Sequence, residues 1–407
     1  MTNNQHKPNV PELRFPEFTG EWEEKKLGDL GDYLKSYPLS RAKEGLGIYK
    51  HIHYGDIHTK LPSILNDTDK LSTITEQKDF VIVEKGDVLF ADASEDYADL
   101  GKATMVNFND NNVIAGLHTH LFRPKEELIS SFLINVTKTE NYKRHIKKEG
   151  NGISVLGISK VNLGKFKVFL PSKIEQQKIG DFFSKLDRQI ELEEKKLVLL
   201  EEQKKGYMQK IFSQELRFKD ENGNDYPEWE EKKLGEVSLF QNGKAHEDIV
   251  DSNGSYKLIN SKFISSEGKI IKRVKKRLSP MYVNDIAIVM SDVPNGKALA
   301  KCYFVNEKDT FTLNQRIGRI YNFLGNPYFL YLILNRNKQL LKYDSGVGQT
   351  NLKKSEIANV SLKIPEINEQ NSISILLEKI DGYIITMRLK VEKLKERKEG
   401  ILNQMLL

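Results

Sequence analysis

The chain contains one long, charged helical segment twice, once near its middle and once at its end. The two copies, residues 175–212 and 369–406, align without a gap, so that Asp187 matches Asp381. In each copy, apolar residues recur at alternating steps of four and three, the heptad pattern that lets two helices pack along one stripe. Two copies of one stripe in one chain favour a pair of long helices that pack against each other.

The stripe includes polar positions. Lysine occupies the same stripe position in both copies, and Glu193 stands where the second copy has Met387. A polar layer at matched places can set the register, since burying it against another layer costs stability. The alternative is two solvated surface helices with ordinary amphipathic faces. The predicted stripe comprises Leu186, Ile190, Leu197, Leu200, Lys204, Tyr207 and Ile211 in the first helix and Ile380, Ile384, Met387, Val391, Leu394, Lys398, Ile401 and Met405 in the second.

A second repeat shows that each long helix follows a copy of the same domain. The tetrapeptide ELRF at 12–15 returns at 215–218, and the octet EWEEKKLG at 21–28 returns unchanged at 228–235. These repeats predict an α+β chain built from two tandem α/β domains, each followed by a long helix. The predicted segments are a tail at 1–19, the first domain at 20–171, the first helix at 172–212, a linker at 213–227, the second domain at 228–365 and the second helix at 366–407.

Within each domain the pattern predicts mixed α and β structure. Asn326 and Pro327 mark a helix start, and Pro171 and Pro365 each stop a strand just before a long helix. The predicted strands cover 80–83, 87–90 and 113–122 in the first domain and 285–290 and 311–321 in the second. The predicted helices cover 130–148 and 328–343, and a glycine-rich loop follows each of them, at 150–154 and 345–350.

The charge balance is mildly basic. Lys and Arg number 63 against 57 Asp and Glu, a formal net charge of +6. This charge is compatible with nucleic-acid binding, but many other proteins reach it too. The single cysteine, Cys302, excludes an internal disulfide and fits a reducing compartment. The polar start has no apolar segment for a signal peptide, and no stretch approaches the roughly 20 apolar residues of a membrane helix. We expect a cytoplasmic protein that does not enter a membrane.

The order of these motifs resembles the specificity subunit of type I restriction–modification systems over essentially the whole chain. The resemblance implies two target-recognition domains that each read one half of a bipartite, asymmetric site on double-stranded DNA. It implies that the two long helices pair antiparallel as a spacer and dock two methyltransferase subunits, and that restriction subunits join through the complex. It also implies a non-catalytic chain without a cofactor of its own, with S-adenosylmethionine, ATP and Mg in the partner subunits.

Positions that differ between matched places of the two domains are candidates for base contacts. Asn and Gln can pair bidentately with adenine and Arg with guanine in the major groove. The alternative is a set of polar residues on exposed strand faces. The candidates are His51, His53, Tyr54, His118 and His120 in the first domain and Asn260, Ser261, Asn314, Gln315 and Arg316 in the second.

Two further groups are candidates for phosphate contacts. A basic run in the second domain could neutralise phosphates, although a solvated hairpin would also explain it. The glycine-rich loops permit close approach of the backbone to a phosphate. The candidates are Lys272, Arg273, Lys275 and Lys276 in the basic run, and Ser154, Lys160, Gln349, Thr350, Asn351 and Lys353 at the loops.

Other motifs do not indicate chemistry. The sequence Asn-Pro-Tyr-Phe at 326–329 differs from an adenine methyltransferase motif by a missing proline, and a helix cap explains it. The segment 294–298 lacks the spacing of a phosphate loop. His51 with His53, and His118 with His120, share strand faces, but the second domain does not repeat them, so we predict no metal site. The alternatives to a specificity subunit are a stand-alone DNA-binding regulator and a coiled-coil adaptor that binds only protein.

Overall fold

The computed structural model describes residues 9–293, 296–308, 310–344 and 346–407. Part of the predicted tail, part of the segment 294–298 and Ser345 of the second glycine-rich loop therefore lie outside the described residues. The chain forms two compact units: unit 1 holds the chain up to Lys196 together with Met387–Leu407, and unit 2 holds Leu197–Thr386. Both divisions fall inside the long helices, so each unit contains one globular domain and half of each helix. The predicted domain boundaries stay a prediction.

Unit 1 is built around a five-stranded sheet of order β2-β10-β6-β8-β4 and a three-stranded sheet of order β5-β3-β9. Its strands are β1 (Glu23–Lys26), β2 (Gly31–Leu34), β3 (Lys50–Ile52), β4 (Ile64–Leu65), β5 (Ser72–Thr73), β6 (Val88–Ala91), β7 (Ala93–Ser94), β8 (Ala103–Val106), β9 (Val113–Ala115), β10 (Thr119–Pro124), β11 (Leu156–Gly157) and β12 (Lys167–Leu170). Its helices are α1 (Tyr54–Thr59), α2 (Ser130–Val136), α3 (Glu140–Glu149), α4 (Lys160–Gly164) and the first part of α5 (Lys173–Phe212).

Unit 2 repeats this plan with a four-stranded sheet of order β14-β21-β17-β19 and a three-stranded sheet of order β16-β15-β20. Its strands are β13 (Glu230–Lys233), β14 (Leu239–Asn242), β15 (Tyr256–Ile259), β16 (Lys272–Val274), β17 (Ile286–Val289), β18 (Ser291–Asp292), β19 (Cys302–Phe304), β20 (Phe311–Leu313), β21 (Ile317–Tyr321), β22 (Thr350–Asn351) and β23 (Ser361–Ile364). Its helices are the last part of α5, α6 (Leu234–Val237), α7 (Ser261–Ser265), α8 (Pro327–Leu334), α9 (Lys338–Leu341), α10 (Lys354–Ala358) and the first part of α11 (Ile367–Met405).

The repeated octet forms the strand that closes each domain. β1 pairs antiparallel with β12, and β13 pairs antiparallel with β23. In both units the partner strand is the one that ends just before a long helix, because the proline that follows it cannot continue the ladder. Trp22, from the first octet, is 2% exposed and packs edge-on against Phe132. The octet therefore connects the start of each domain to the strand that leads into its long helix.

Several predicted elements are divided in the structure. The helix predicted at 130–148 is two helices, because Thr139 caps α3 by accepting a hydrogen bond from the Tyr142 amide at 3.3 Å. The helix predicted at 328–343 also breaks, at Arg336, whose φ is +59°. The strand predicted at 113–122 breaks at His118, whose φ is +52°. A left-handed residue cannot continue a strand or a helix, so each break starts a new element.

The remaining strand predictions differ from the structure in two places. The strand predicted at 311–321 is split into β20 and β21, which lie in different sheets. The strand predicted at 80–83 is wrong: only Ile82 makes an isolated bridge, to Ile114. Its apolar side chains pack against a small core cluster instead of joining a sheet.

Each unit contains an antiparallel pair of helical segments. In unit 1 the first part of α5 packs against the last part of α11, since Asp187 lies beside Lys398 and Glu193 beside Lys390. In unit 2 the last part of α5 packs against the first part of α11, with Lys204 beside Asp381. The predicted fold class, two α/β domains with two long helices that pair antiparallel, is confirmed. Within the described ranges, no helix is both long enough and apolar enough to cross a membrane.

Candidate nucleic-acid interface

In each unit two parallel strands end side by side, and the candidates for base contacts that follow those strands lie close together. In unit 1, the Gly116 amide donates to the Ile52 carbonyl at 2.9 Å, and the Tyr54 ring packs edge-on against the His118 ring, 5.3 Å between centroids. In unit 2, the amide of Asn314 donates to the carbonyl of Ile259 at 3.0 Å. We call residues 116–118 and 314–316 the first and second edge turns.

Each glycine loop, residues 150–155 or 346–349, is followed by a short strand, β11 or β22, whose end is linked to an edge turn by hydrogen bonds. In unit 1, the amide of Asp92 donates to the His118 carbonyl at 3.0 Å, and the amide of Ile158 donates to the Asp92 carbonyl at 2.9 Å. The same pair of bonds occurs in unit 2, where the Met290 amide bonds the Arg316 carbonyl at 3.0 Å and the Leu352 amide bonds the Met290 carbonyl at 2.7 Å. In both units one residue, Asp92 or Met290, therefore links an edge turn to the end of the strand that follows the glycine loop.

The connecting strands, β7 and β18, are not among the elements predicted from the sequence. Each has two residues, follows a buried strand directly and pairs with the strand that follows the glycine loop, β11 or β22. A two-residue strand has no periodicity, and the residues of β7 and β18 differ in type, so no signal in the sequence marks them. Only the long-range pairing defines them.

The candidates differ in their exposure. Those on the edge turns, the glycine loops and the basic strand β16 mostly face solvent, and others are wholly or partly buried. The exposed candidates are His118, Ser154, Lys272, Arg273, Lys275, Lys276, Gln315, Arg316, Gln349, Asn351 and Lys353. The half-buried ones are Tyr54, Lys160, Asn260, Ser261 and Asn314, and the buried ones are His51, His53, His120 and Thr350.

The buried histidines have partners within unit 1. His51 Nε2 lies 3.1 Å from Glu44 Oε1, and His120 Nε2 donates to the Ile158 carbonyl at 2.8 Å. Burial and the nearby Arg41 guanidinium lower the pKa of His53 to about 4, so its neutral ring accepts a hydrogen bond from the Gly55 amide at 3.1 Å. A buried ring presents no edge to a DNA groove, and these contacts support packing and capping roles for the three histidines.

Two half-buried candidates and the buried Thr350 also serve the fold. Asn260 caps α7 by accepting from the Phe263 amide at 2.8 Å, at the position that His53 occupies before α1. The difference between the two domains at this place therefore exchanges one cap for another. The ammonium of Lys160 donates to the Leu34 carbonyl at 2.9 Å, and the Thr350 hydroxyl bonds Asp344 Oδ1 at 3.3 Å.

The basic strand lies at the edge of the three-stranded sheet of unit 2, where β16 pairs with β15. Lys272 and Lys276 are exposed, and Lys275 forms a surface ion pair with Asp251 at 3.1 Å. Arg277, at the end of the run, is used by the fold, because its Nε donates to the Phe311 carbonyl at 2.9 Å. The matching strand of unit 1, β5, consists of Ser72 and Thr73, so the basic strand belongs to unit 2 alone.

The stripe positions of the helices are buried or half-buried, while their neighbours in sequence are mostly exposed. The lysines at the matched stripe positions pair with aspartates of the other helix. In unit 2, Lys204 Nζ donates to both carboxylate oxygens of Asp381, at 2.6 and 2.7 Å. In unit 1, Lys398 of the second helix likewise donates a hydrogen bond to Asp187 of the first helix. Each lysine of the repeat thus meets the aspartate that the other copy supplies.

Glu193 also has a place in the helix pair. It is 7% exposed, and its Oε1 accepts a hydrogen bond from Lys390 at 2.9 Å. This contact and the nearby Lys196 hold the pKa of the Glu193 carboxyl below its ordinary value. The stripe position that Met387 fills in the second helix is therefore filled in the first helix by Glu193, which forms an ion pair with Lys390.

A buried junction joins each long helix to its domain through the second repeat. The Arg14 guanidinium donates to both oxygens of Glu175 at 2.7 and 2.8 Å. In unit 2, Arg217 donates to both oxygens of Glu369 at 2.8 Å. Glu175 is 1% exposed and Glu369 is 0% exposed. The repeated ELRF and the glutamate that begins each copy of the helix are therefore contact partners.

The residue after each junction glutamate adds a second anchor. Gln176 Oε1 accepts from the Ile129 amide at 2.8 Å, and its Nε2 donates to the Pro171 carbonyl at 3.0 Å. Gln370 makes the equivalent bonds to Asn326 and Pro365 at 2.9 and 2.8 Å. The repeats are visible in the sequence but this contact is not, because a repeat does not reveal which of the repeated segments touch each other.

The structure contains no obvious metal site in its described part. No group of three or more His, Cys, Asp or Glu side chains within those ranges is arranged to hold a metal ion. Burial raises the pKa of the Cys302 thiol well above its ordinary value, so the cysteine is inert. What the surfaces offer is a set of exposed Arg, Gln, Asn, His and Lys side chains on two matched edges.

Known proteins are similar to this chain over nearly its whole length. A family model described as the type I restriction modification DNA specificity domain matches residues 19–202 and 226–396. The type I restriction enzyme MjaVIII specificity subunit of Methanocaldococcus jannaschii is 26% identical over 425 residues, which cover 97% of this chain and 93% of that protein. The MjaIX specificity subunit of the same organism is 23% identical over 414 residues, covering 94% of this chain and 92% of that protein.

Solved structures share the fold. The S subunit of a type I restriction–modification system from M. genitalium superposes with a TM-score of 0.61 at 15% identity, over 98% of this chain and 99% of that one. A chain from work on complex assembly and conformational transition of the type I R-M system has a TM-score of 0.53 at 15% identity, over 94% of this chain and 97% of that one. Since the family model covers both domains and most of both helices, the chain belongs to the type I restriction–modification DNA specificity family, as the non-catalytic subunit that recognises DNA.

Proposed function

We propose that each unit reads one half of a bipartite double-stranded DNA site through its edge turn and its glycine loop. The observation that carries this proposal is the matched geometry of the two surfaces combined with their different side chains. The first edge turn presents His118, and the second presents Gln315 and Arg316. Equal scaffolds with unequal polar groups suit two unequal half-sites, which is what an asymmetric target requires.

Arg316 is the residue best suited to specify a base. It is exposed on the second edge turn, and an arginine of this kind pairs bidentately with the O6 and N7 atoms of guanine. Lys272, on the edge strand β16, and Lys276, just after it, instead suit phosphates, since an exposed lysine supplies charge without a fixed geometry. Base contact and phosphate contact predict different results for the two groups.

The variant Arg316→Ala should relax specificity in one half-site only, with a loss of about 1–3 kcal/mol for the cognate base pair. The measurement is methylation-site mapping of the variant with its partner subunits. The matched control is the double variant Lys272→Gln and Lys276→Gln, which should weaken binding to all sequences and lower the salt slope by about 1.8. Equal relaxation of both half-sites by Arg316→Ala would contradict the division of labour between the units.

The long helices are proposed to set the spacing of the two half-sites. α5 has 40 residues, so at about 1.5 Å per residue it spans roughly 60 Å. This length is enough for two half-sites separated by one turn of DNA or more. A packed helix pair is stiff, in contrast to a flexible linker, so the spacing should be fixed.

Lengthening both helices at the division between the units should lengthen the DNA spacer. Four residues inserted after Lys196 and four after Thr386 keep the two helices equal and add about 6 Å, slightly more than one helical turn. Base pairs rise about 3.4 Å, so the preferred spacer should grow by one or two base pairs while both half-sites stay the same. Mapping of methylation sites tests this. An unchanged spacer would mean that the helices do not set the distance.

A two-residue insertion at each place serves as the control for this experiment. It rotates the apolar stripe by about half a turn and should disrupt the helix pairing itself. Loss of methylation with the two-residue insertion, together with a longer spacer for the four-residue insertion, would show that a rigid helix pair, and not a flexible connection, sets the spacing.

The helices also suit the docking of methyltransferase subunits. Apolar side chains outside the stripe face solvent on the helical segments of both units, which is unusual for a helix whose stripe is already filled. They include Leu192 and Leu389 in unit 1 and Val198, Leu199, Tyr383 and Ile385 in unit 2. We propose that two methyltransferase subunits cover them and that restriction subunits join through that complex.

Catalysis is assigned to those partners. We propose that S-adenosylmethionine, ATP and Mg are bound by the methyltransferase and restriction subunits and that the complex works in the cytoplasm, on the DNA of the cell. The expected result is that the chain shifts specific DNA by itself but methylates it only when the methyltransferase subunit and S-adenosylmethionine are both present.

A further inference from the structure

An exposed apolar residue stands at the tip of each glycine loop. The Ile153 side chain is 101% exposed, and Val347, at the matched place of the second repeat, is 89% exposed. A single exposed apolar residue needs no explanation in an ordinary protein. The recurrence of a β-branched side chain at one place in two domains that otherwise differ on this edge makes the pair a candidate for a shared role.

The backbone of the loops holds these side chains outward. Gly152 and Gly346, each directly before the exposed residue, have φ values of +135° and +69°. A Cβ at Gly152 would lie 2.0 Å from the carbonyl oxygen of Val155, so no other residue fits there. In the first loop, two backbone bonds between Asn151 and Gly157, at 2.9 and 2.7 Å, close the turn. The tip is therefore shaped before it meets a ligand.

The tips lie at the edge proposed to face DNA. The hydrogen bonds from Ile158 to Asp92 and from Asp92 to His118 connect the end of β11, the strand that follows the first loop, to the first edge turn. Polar residues close to the tips are also exposed, Ser154 in the first loop and Gln349 two residues after Val347 in the second. An apolar tip with small residues on either side suits the floor of a DNA groove, where base edges offer apolar surface and the groove walls offer acceptors.

We propose that Ile153 and Val347 insert into a groove of the DNA and make apolar contacts with the bases of their own half-sites. The inference rests on the proposed function of the two units and adds a contact that hydrogen-bonding residues alone do not supply. β-branched side chains suit the role, because they lose little rotamer freedom when they are covered.

The test is the variant Ile153→Ala in the complete chain with its methyltransferase partners. Affinity is measured for the cognate duplex and for a duplex in which the half-site of unit 1 is scrambled. We expect binding of the cognate duplex to weaken about ten- to fiftyfold, because the truncated side chain no longer covers apolar base surface. Binding of the scrambled duplex should stay the same, and Ile153→Val should remain within about threefold of the unchanged protein.

Leu46 provides a matched control. It is 98% exposed and stands between two glycines in the same unit. It precedes the start of β3, whereas the first edge turn follows the end of β9, the strand that pairs parallel with β3. Leu46→Ala should leave both affinities unchanged. Because both side chains face solvent, neither variant should lower the melting temperature.

Three outcomes would overturn the inference. The first is cognate binding by Ile153→Ala equal to that of the unchanged protein, and the second is an equal loss with Leu46→Ala. The third is unchanged DNA affinity with loss of the methyltransferase, which would place the tip against a protein partner. If the unchanged protein does not distinguish the cognate from the scrambled duplex, the proposed function fails and this inference fails with it.

Discussion

Replacing Arg14 by leucine should lower the free energy of unfolding of the chain by about 3–5 kcal/mol, the cost of leaving a buried carboxylate without its partner. Glu175 is 1% exposed and receives two hydrogen bonds from the Arg14 guanidinium, at 2.7 and 2.8 Å. The measurement is urea-induced unfolding of the full chain, followed by circular dichroism. A double variant with Glu175→Gln should recover part of the loss, because the buried charge is then removed.

The second junction supplies an internal comparison. In unit 2, the Trp229 Nε1 also donates to Glu369, at 3.1 Å, whereas among the described residues of unit 1 no partner accepts from the buried Trp22 Nε1. Arg217→Leu should therefore be less costly than Arg14→Leu, since Glu369 keeps one donor. Arg188→Leu, at a solvent-exposed ion pair of α5, is the surface control and should cost less than about 0.5 kcal/mol. A junction variant no more costly than this control would show that the contact does not stabilise the helix base.

Reversing the charge of Lys204 alone should destabilise the helix pair, and reversing both partners should restore it. Lys204→Asp places two carboxylates together at a half-buried layer, because its side chain is 20% exposed and that of Asp381 is 29% exposed. With allowance for partial solvent screening, the single variant should lose about 1–3 kcal/mol. The double variant Lys204→Asp with Asp381→Lys should recover most of this, and the Tyr328 hydroxyl, which now donates to Asp381, can accept from the new lysine.

The control for this swap is the exposed pair between Lys395 and Glu194, whose side chains are 56% and 44% exposed. Reversing Lys395 should change the free energy of unfolding by less than about 0.5 kcal/mol. Thermal unfolding of Lys204→Asp, of Asp381→Lys, of the double variant and of the control gives the coupling energy of the pair. No recovery in the double variant would mean that Lys204 and Asp381 do not set the register of the helices.

Local pattern was sufficient to predict the architecture. The two copies of the helix carry their stripe, their lysines and their aspartates in the sequence, so two long helices that pack together follow from periodicity alone. The repeat of ELRF and EWEEKKLG establishes two copies of one domain, because an identical octet at matched places has no other simple origin. The antiparallel direction came from the family resemblance, and the contacts from Lys204 to Asp381 and from Lys398 to Asp187 show its physical basis.

Burial and proximity were decided by the tertiary structure. His51, His53 and His120 are polar residues at places that differ between the repeats, but the sheets of unit 1 enclose them and use them for packing and capping. The edge turns meet the glycine loops only through β7 and β18, whose pairing joins residues far apart in the sequence. Composition and spacing describe the chain along its length, whereas exposure and contact depend on which distant strands pair. The helices and the repeat therefore follow from the sequence, and the faces of the site follow only from the fold.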